Sequence, residues 1–401
     1  MTTPPEAWQS TTGTLTDVAM PRDATASPQL STLAQRMAAA GANLTVETPD
    51  SVPITIGTGA SAARVIFHRP GAVRTLLRGD HLALAEAYLQ GEIDVEGDLR
   101  QALFVTDHLD FDRRSRIREV LVWLRLALDR RRFTRRSIAH HYDRPAEFFL
   151  RWLDPSRSYT HGFYASPDED LSRAQKRKLQ YAIDALRLAP GMDVLDMGCG
   201  WGSFIDYAGS RGIRVHGITL SREQHAFVSE LIREKNLPCT VTYVDFLDYQ
   251  PPCAFDGAVF MGSLEHMPDY RYLGRFLGRH LRPQAGAYAD FVTTREGRLA
   301  GAFLRKYIFP GVTGYVELPR LTATLTAAGF PVRELADDTP SCAYTVRDWA
   351  LALQEHHHAL ALVHGEVTVR AFLLYLWSSH HFLATNRTQA YHLVVGRTPD
   401  G

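Results

Sequence analysis

The chain of 401 residues carries 44 Lys plus Arg against 44 Asp plus Glu, and this balance gives no sign of a nucleic-acid partner. Its four cysteines form no CxxC pair and are too few for a disulfide framework, which counts against a metal site and predicts a cytoplasmic location. Hydrophobic residues make up 45%, enough for packed cores, yet no run approaches the roughly 20 apolar residues of a membrane helix.

The first 110 residues predict a leader and a small domain. Residues 1–29 are rich in Thr, Pro, Ser and Ala and lack the basic start and apolar run of a signal peptide, so we predict a disordered leader. Residues 51–70 alternate Val, Ile and Thr and predict a pair of strands. Residues 72–92 predict a helix, and the turn-rich stretch 92–99 closes an α+β domain placed at residues 30–110.

Residues 111–137 differ in kind, because ten arginines are opposed there by only three acidic residues. Apolar residues including Trp123 lie between the arginines, so the segment predicts a basic amphipathic helix that links two domains. One interpretation is a helix that contacts an anionic membrane at its surface. The other is a linker that packs its apolar side on the protein and leaves the arginines in water, and the sequence favours neither.

From residue 138 to 401 short apolar strands alternate with helices, which predicts an α/β domain with a doubly wound, mostly parallel sheet. An insertion near residues 296–320 is rich in aromatic residues and is expected to cover an apolar pocket. The predicted strands are 192–195, 215–219, 240–244, 257–261, 287–292 and 389–395, and the predicted helices are 203–210, 224–234, 270–281, 346–364 and 367–384.

A glycine-rich turn follows the first of these strands. Asp196, Gly198, Gly200 and Gly202 form D-x-G-x-G-x-G between a strand and a helix. Glycines let the backbone approach a ligand closely, and the helix that follows offers free N–H groups. The context of strand, turn, helix and second strand is that of a nucleotide-type cofactor loop.

The spacing of this loop favours S-adenosylmethionine over a dinucleotide. A dinucleotide fingerprint needs G-x-G-x-x-G and an acid at the end of the second strand to hold the ribose. Here the third glycine comes one residue early, and the second strand ends in Thr219 and Leu220 without a carboxylate. Asp245 and Phe246 follow the third strand, where an acid accepts from an adenine amino group and an aromatic ring stacks on the base. The alternative is that they only cap a helix and fill the core.

Several motifs together resemble the cyclopropane-fatty-acid synthase family, which includes the mycolic acid cyclopropane synthases. The N-terminal stretch LALAEAYLQGEIDVEGDL (82–99) resembles the family's N-terminal domain, so the resemblance covers nearly the whole chain. The other matching stretches are IAHHYDRPAEFFLRWLDP (138–155), SYTHGFY (158–164), LSRAQKRKL (171–179), LDMGCGWG (195–202), GITLSREQ (217–224), LEHM (264–267), KYIFPG (306–311) and TVRDWALALQ (345–354).

The resemblance implies a Rossmann-like class I methyltransferase with a seven-stranded sheet. It also implies transfer of the methyl group of S-adenosylmethionine to a cis double bond in a lipid acyl chain, after which loss of a proton closes a cyclopropane. Glu265, His161 and Tyr307 are the predicted catalytic residues. The predicted cofactor-binding residues are Tyr159, Thr160, Asp196, Gly198, Gly200, Gly202, Thr219, Leu220, Gln224, Asp245 and Phe246.

The chain departs from the family where the family holds a bicarbonate ion. Of the four positions that hold this ion, Glu265 is retained, whereas the others are His161, Phe291 and Cys342. This loss puts bicarbonate, and with it the cyclopropane, in doubt. An imidazole accepts a proton near neutral pH, so one hypothesis is that His161, oriented by Glu265, serves as the base. Another is that the reaction stops at C-methylation, and a third is that His161 only donates hydrogen bonds.

Three classes of function follow. The leading prediction is a C-methyltransferase acting on an unsaturated lipid, and the alternative is C-, O- or N-methylation of a non-lipid small molecule on the same fold. A lipid-binding protein without activity is the third class, against which the intact glycine loop, Gln224 and Glu265 argue. The sequence does not decide whether the protein forms a homodimer.

Overall fold

The computed structural model describes residues 28–39, 41–58, 60–107, 144–267, 269–295, 301–309 and 314–397. Residues 1–27 of the predicted leader and the basic helix predicted at 111–137 lie outside these ranges, as does part of the predicted insertion. Among the described helices, none combines the length and apolarity that crossing a bilayer requires.

We call residues 28–107 the N-terminal domain, in which four helices accompany a four-stranded sheet of order β2-β1-β3-β4. Strand β1 pairs antiparallel with β2 and parallel with β3, and β3 pairs antiparallel with β4. The elements are α1 (Pro28–Ala39), β1 (Leu44–Thr48), β2 (Ser51–Ile56), β3 (Ala63–Phe67), α2 (Pro70–Leu77), α3 (His81–Leu89), β4 (Ile93–Gly97) and α4 (Leu99–Asp107).

Three expectations for this domain are wrong in detail. Both strands predicted at 51–70 form, but they flank β1 and do not pair with each other. The predicted turn at 92–99 contains strand β4, which pairs with β3 although it carries two acidic residues, Asp94 and Glu96. The helix predicted at 72–92 is two helices, because Gly79 has a φ of +64° and the Asp80 side chain then caps α3 by accepting from the Ala83 N–H at 3.0 Å.

The second sheet has seven strands in the order β10-β11-β9-β8-β5-β6-β7. Every pairing from β9 to β7 is parallel, and β11 pairs antiparallel with β9 and β10, so the predicted doubly wound, mostly parallel sheet is confirmed. The strands are β5 (Asp193–Met197), β6 (Arg214–Thr219), β7 (Thr240–Tyr243), β8 (Phe255–Met261), β9 (Leu281–Thr294), β10 (Val332–Asp337) and β11 (Thr388–Gly396).

Helices cover both faces of this sheet. The helix predicted at 346–364 is two helices, with the break at His356. The helices are α5 (Ala146–Leu150), α6 (Leu171–Ala185), α7 (Ser203–Gly209), α8 (Arg222–Glu234), α9 (Tyr270–His280), α10 (Leu318–Ala327), α11 (Thr339–Glu355), α12 (His357–His364) and α13 (Glu366–Ala384), with shorter 3₁₀ turns at Phe246–Asp248 and Leu264–His266 and a π-helical turn at Leu304–Ile308.

The strand order reverses between β5 and β8, the point at which open α/β sheets form a crevice beyond the carboxyl ends of their strands. The last residues of these strands, Met197 and Met261, therefore lead directly into the region where a ligand is expected. Helix α13 joins the two sheets, because its Arg370 donates to Asp94 Oδ1 at 2.6 Å and to the Ile93 carbonyl at 2.7 Å.

Candidate active site

The glycine-rich loop turns immediately after β5 with backbone angles that favour glycine. Gly198 has a φ of +88°, and a Cβ there would lie 2.9 Å from the Cβ of Ser263. Gly200 has a φ of +52°, but a Cβ there would meet no protein atom within 4 Å. The loop backbone therefore faces open space at Gly200, as it must if a ligand is to approach it closely.

A large cavity lies at this loop, and ten of the eleven predicted cofactor residues line it. Gly202 does not, because it caps α7 with a φ of +75° and packs toward Val228 and Leu231 of α8. Gly202 thus sets the contact between two helices. The predicted cofactor-binding residues that line the cavity are Tyr159, Thr160, Asp196, Gly198, Gly200, Thr219, Leu220, Gln224, Asp245 and Phe246.

Hydrogen bonds fix the polar side chains after β6. The Thr219 hydroxyl donates to Gln224 Oε1 at 2.7 Å, and the Ser221 hydroxyl accepts from the Gln224 N–H at 3.2 Å as it caps α8. Asp245 accepts from the Leu247 N–H at 2.9 Å, so the capping role considered for it is present alongside its place in the cavity wall. Burial raises the pKa of Asp196 to about 7, with a further contribution from the nearby Asp290.

A second cavity of about 600 Å³ meets the first. Gly262, at the end of β8, belongs to the shared wall and has a φ of +64°; a Cβ there would lie 2.4 Å from the Cγ2 of Thr160. Close contact between β8 and the segment before α6 is therefore possible only with glycine at this position. The residues that line both cavities are Tyr159, Thr160, Gly262, Glu265, His266, Gly314 and Tyr315.

The four positions that correspond to the family's bicarbonate holders come together in this second cavity. His161, Glu265, Phe291 and Cys342 all line it, although they come from four separate parts of the chain. Only Glu265 also reaches the first cavity. The structure thus brings together the positions that the sequence comparison selected, while three of the four side chains differ.

Glu265 has one satisfied and one unsatisfied carboxylate oxygen. Its Oε1 accepts from the Val292 N–H at 2.8 Å, whereas Oε2 is buried without a partner among the described residues. Burial raises the pKa of Glu265 to about 7, partly offset by the hydrogen bond from Val292. A carboxylate with this pKa changes its protonation state near neutral pH and is suited to proton transfer.

The expectation that Glu265 orients His161 is wrong. The partner of His161 is Asp338 at the start of α11, whose Oδ2 lies 3.1 Å from Nε2 of His161 and 2.7 Å from Nδ1 of His392. Burial opposes a charged imidazole, but the hydrogen bonds with Asp338 and Cys342 outweigh it and raise the pKa of His161 to about 10. At neutral pH His161 is therefore an imidazolium, which donates hydrogen bonds and has no free site to accept a proton.

Tyr307 is not brought to the reaction site. Its hydroxyl donates to Glu86 Oε1 of the N-terminal domain at 3.2 Å, and it lines neither cavity. The neighbouring Lys306 contacts the same carboxylate at 2.7 Å, so this part of the predicted insertion makes an interdomain contact. Other aromatic side chains outside the N-terminal domain line the second cavity, namely Tyr159, Phe291, Phe303, Phe309, Tyr315, Trp349, Tyr375 and Phe382.

Sequence reasoning missed a buried lysine that contacts Thr160, a residue that lines both cavities. Lys178 of α6 is fully buried, donates to the Thr160 hydroxyl, and lies 3.8 Å from Asp290 Oδ2. On the same helix Gln175 donates to the Thr160 carbonyl at 2.7 Å, so Thr160 is held from two sides. A signal was present, because Lys178 is four residues from both Ala174 and Ala182 and so falls on the apolar face of α6.

The strand order, the loop and the cavity at the switch point define a class I methyltransferase that uses S-adenosylmethionine. Residues 129–393 match the mycolic acid cyclopropane synthetase family, and the chain belongs to that family. A second match covers residues 35–107 and is to a domain of unknown function (DUF7884). The family resemblance seen in the sequence is thereby confirmed.

Two relatives support the same assignment, and one solved structure shows the same fold. A probable fatty acid methyltransferase of Mycobacterium tuberculosis is 29% identical over 366 residues, covering 81% of this chain and 84% of the relative. Cyclopropane mycolic acid synthase 2 of Mycobacterium bovis is 30% identical over 269 residues, covering 60% and 87%. The structure of a cyclopropane synthase from Mycobacterium tuberculosis superposes with a TM-score of 0.61 at 24% identity, covering 66% of this chain and 98% of that one.

Proposed function

We propose that this methyltransferase acts on the double bond of an unsaturated lipid acyl chain and forms a new carbon–carbon bond there. The observation that carries this proposal is the junction of the two cavities at Glu265, one of them lined by the cofactor loop and the other mainly by apolar side chains. The names of the relatives, a fatty acid methyltransferase and a mycolic acid synthase, point to the same kind of acceptor.

The surroundings of the junction suit an electron-poor intermediate. S-adenosylmethionine supplies an electrophilic methyl group, and an alkene that takes it leaves a positive charge on the neighbouring carbon. Water would destroy such a cation, so the site must be dry. Aromatic side chains line the second cavity, among them Tyr159, Phe309 and Tyr315. Such side chains are suited to exclude water, and aromatic rings attract positive charge that lies over their faces.

Glu265 is the proposed base. Its Oε2 is buried, has no partner among the described residues, and belongs to a side chain that lines both cavities. After the methyl group has been added, Oε2 takes a proton either from the new methyl group, whose C–H electron pair then closes the cyclopropane, or from a chain carbon next to the cation, whose C–H electron pair then forms a new double bond. His161 cannot take this role at neutral pH, since Asp338 holds it as an imidazolium.

The residues present do not fit a bound bicarbonate. Phe291 offers no hydrogen-bond donor at the position of one family holder, and the imidazolium of His161 is neutralised by Asp338. We therefore assign the final proton to Glu265 and derive no step through bicarbonate.

A second candidate is methylation of a non-lipid small molecule, which the changed residues His161, Phe291 and Cys342 favour. Initial rates of S-adenosylhomocysteine formation separate the two candidates. The acceptors compared are vesicles of cis-monounsaturated phospholipid, vesicles of saturated phospholipid, free monounsaturated fatty acid and a panel of small amines, phenols and carboxylates. Turnover with unsaturated acyl chains and none with saturated chains supports the proposal, whereas turnover with the small-molecule panel alone contradicts it.

A further inference from the structure

The second cavity does not end at the methyltransferase sheet. From Glu265 and His161 it continues along α13 and α3 and enters the N-terminal domain between helix α1 and the four-stranded sheet. There it is lined by Leu33 and Met37 of α1 and by strand residues such as Ile54, Val65 and Phe67, all of them buried. The hydrophobic core of the N-terminal domain is thus open to the reaction site.

This opening is unusual for a small domain. Protein interiors are close-packed, and an empty apolar volume destabilises a fold in proportion to its size. Apolar cavities stay dry and take apolar ligands when these are offered. A ligand that enters from the reaction site and fills the space between α1 and the sheet removes this cost.

The side chains that line this part of the cavity also indicate which kind of ligand fits there. Among the described residues of the N-terminal domain that line the cavity, His81 and Tyr88 are polar and the others carry only apolar side chains. Burying a charged or strongly polar group there without a partner would be costly. The part of the ligand that reaches the N-terminal domain is therefore a hydrocarbon, and a polar headgroup must remain elsewhere.

Buried contacts fix the two parts of the cavity relative to each other. Arg370 of α13 is 11% exposed, binds Asp94 and the Ile93 carbonyl, and lies 4.3 Å from the ring centroid of Tyr88. Leu374, Ser378 and Phe382 follow on the same helix and line the cavity where it passes between the domains. The path is consequently part of the folded structure, framed by a helix that belongs to the methyltransferase domain.

We propose that the N-terminal domain is an acyl-chain binding domain, which holds the methyl-terminal part of the chain whose double bond lies at Glu265. The position of the double bond rests on the proposed function, but binding of the hydrocarbon does not. The domain would then make the enzyme selective for acyl-chain length, because the number of carbons beyond the double bond decides how much apolar contact forms.

The test narrows the cavity inside the N-terminal domain, far from the reacting atoms. Val65 of β3 is 6% exposed and lines the cavity, whereas its neighbour Ile66 points to the other face of the sheet and does not. Val65→Phe is the test variant and Ile66→Phe is its matched control. Ala34→Phe, which enters the cavity from α1, is a second test variant in case Val65→Phe is poorly folded.

The first readout is equilibrium binding of radiolabelled oleic acid to the full chain, with calorimetry of S-adenosylhomocysteine as a check on folding. We expect the folded test variants to bind oleic acid at least about tenfold more weakly, which is the loss when roughly two methylene groups lose their apolar surroundings. Ile66→Phe should bind as the unaltered protein does. Unchanged oleic acid binding by both test variants, with S-adenosylhomocysteine bound normally, would overturn the proposal.

The second readout separates this inference from the proposed function. Methyl transfer is compared for two cis-alkenyl acceptors that differ only in the number of carbons beyond the double bond. The test variants should lose activity on the long acceptor and keep it on the short one. Binding without any methyl transfer would contradict the proposed function and leave the inference standing, whereas equal activity of Val65→Phe on both acceptors would overturn the inference alone.

Discussion

Asp338 Oδ2 lies 3.1 Å from Nε2 of His161, and this pair joins the start of α11 to the loop that carries Tyr159 and Thr160. The two side chains are 11% and 3% exposed, so the pair is shielded from water. His392 contacts the same carboxylate oxygen at 2.7 Å. The arrangement makes His161 an imidazolium in the wall of the second cavity, and Glu265 is the residue that we propose for proton transfer.

Asp338→Asn should lower the pKa of His161 from about 10, because burial then acts on the imidazolium without its negative partner. The pair is buried, so its loss should cost on the order of 3 kcal/mol of unfolding free energy. Because the raised pKa of His161 stabilises the fold fully below the ordinary value of about 6.5, this loss should be larger at about pH 6 than at about pH 9.

Urea unfolding at both pH values and an NMR titration of the His161 ring measure these effects. Glu366→Gln is the matched control, since it removes the more exposed pair with His357 and should cost less than about 1 kcal/mol. An unchanged His161 titration in Asp338→Asn would contradict the assignment of the imidazolium.

Glu265→Gln should lower the turnover rate by roughly 10²–10⁴-fold, because the amide neither accepts the proton nor stabilises the developing cation. In the unaltered enzyme the rate should rise with pH through about 7, since the carboxyl group is protonated below its raised pKa. Binding of S-adenosylhomocysteine should persist in the variant. Glu230→Gln, on the exposed face of α8, is the control and should keep full activity; a flat pH profile would count against Glu265 as the base.

Gly262→Ala should weaken cofactor binding, because the new Cβ would lie 2.4 Å from Thr160 Cγ2 and the φ of +64° disfavours alanine. Gly278→Ala is the matched control on α9, where a Cβ would meet nothing within 4 Å. The control should stabilise the protein by about 0.5–1 kcal/mol, since alanine favours a helix. Calorimetry and thermal unfolding compare the two, and equal cofactor affinity in both variants would show that the tight contact with Thr160 has no effect.

Arg370→Met should destabilise the contact between the domains by about 1.5–3 kcal/mol, the usual range for hydrogen bonds to a charged group. Lys306→Met removes another interdomain ion pair, with Glu86 at 2.7 Å, but Lys306 is 54% exposed. We expect Lys306→Met to lower the free energy of unfolding by less than about 1 kcal/mol. Urea unfolding of both variants measures the difference. Equal losses of unfolding free energy would contradict the inference that the buried Arg370 contributes more than Lys306 to the contact between the domains.

The sequence predicts the central sheet well because β5, β8 and β9 are buried on both faces and so appear as short apolar runs. Strand β10 went unpredicted for the opposite reason. It is an edge strand of mostly exposed residues, Val332–Asp337, and only its pairing with β11 makes it a strand. The break at Gly79 was not predicted, although a glycine followed by an aspartate is typical of one helix that ends and another that begins.

In the candidate site too, some features could be predicted from the sequence and others could not. The cofactor loop is local, so its residues could be predicted from one stretch of sequence with its flanking strand and helix. The partner of His161 lies 177 residues away in Asp338, and no local pattern joins them. Tyr307 lies in a motif resembling the family, yet the N-terminal domain supplies Glu86 as its partner, and that contact depends on how the two domains pack.

Mass spectrometry tests methylation of the acyl chain most directly, on the lipid formed from S-adenosylmethionine with a trideuterated methyl group and a phospholipid that carries cis-monounsaturated chains. We expect deuterium to enter the acyl chain at the former double bond, and a phospholipid with saturated chains to take up none. Two deuterium atoms retained from the methyl group would indicate that the proton was lost from that carbon, and three that it was lost from the chain. Deuterium in the headgroup, or equal labelling of saturated chains, would contradict methylation at the double bond of the acyl chain.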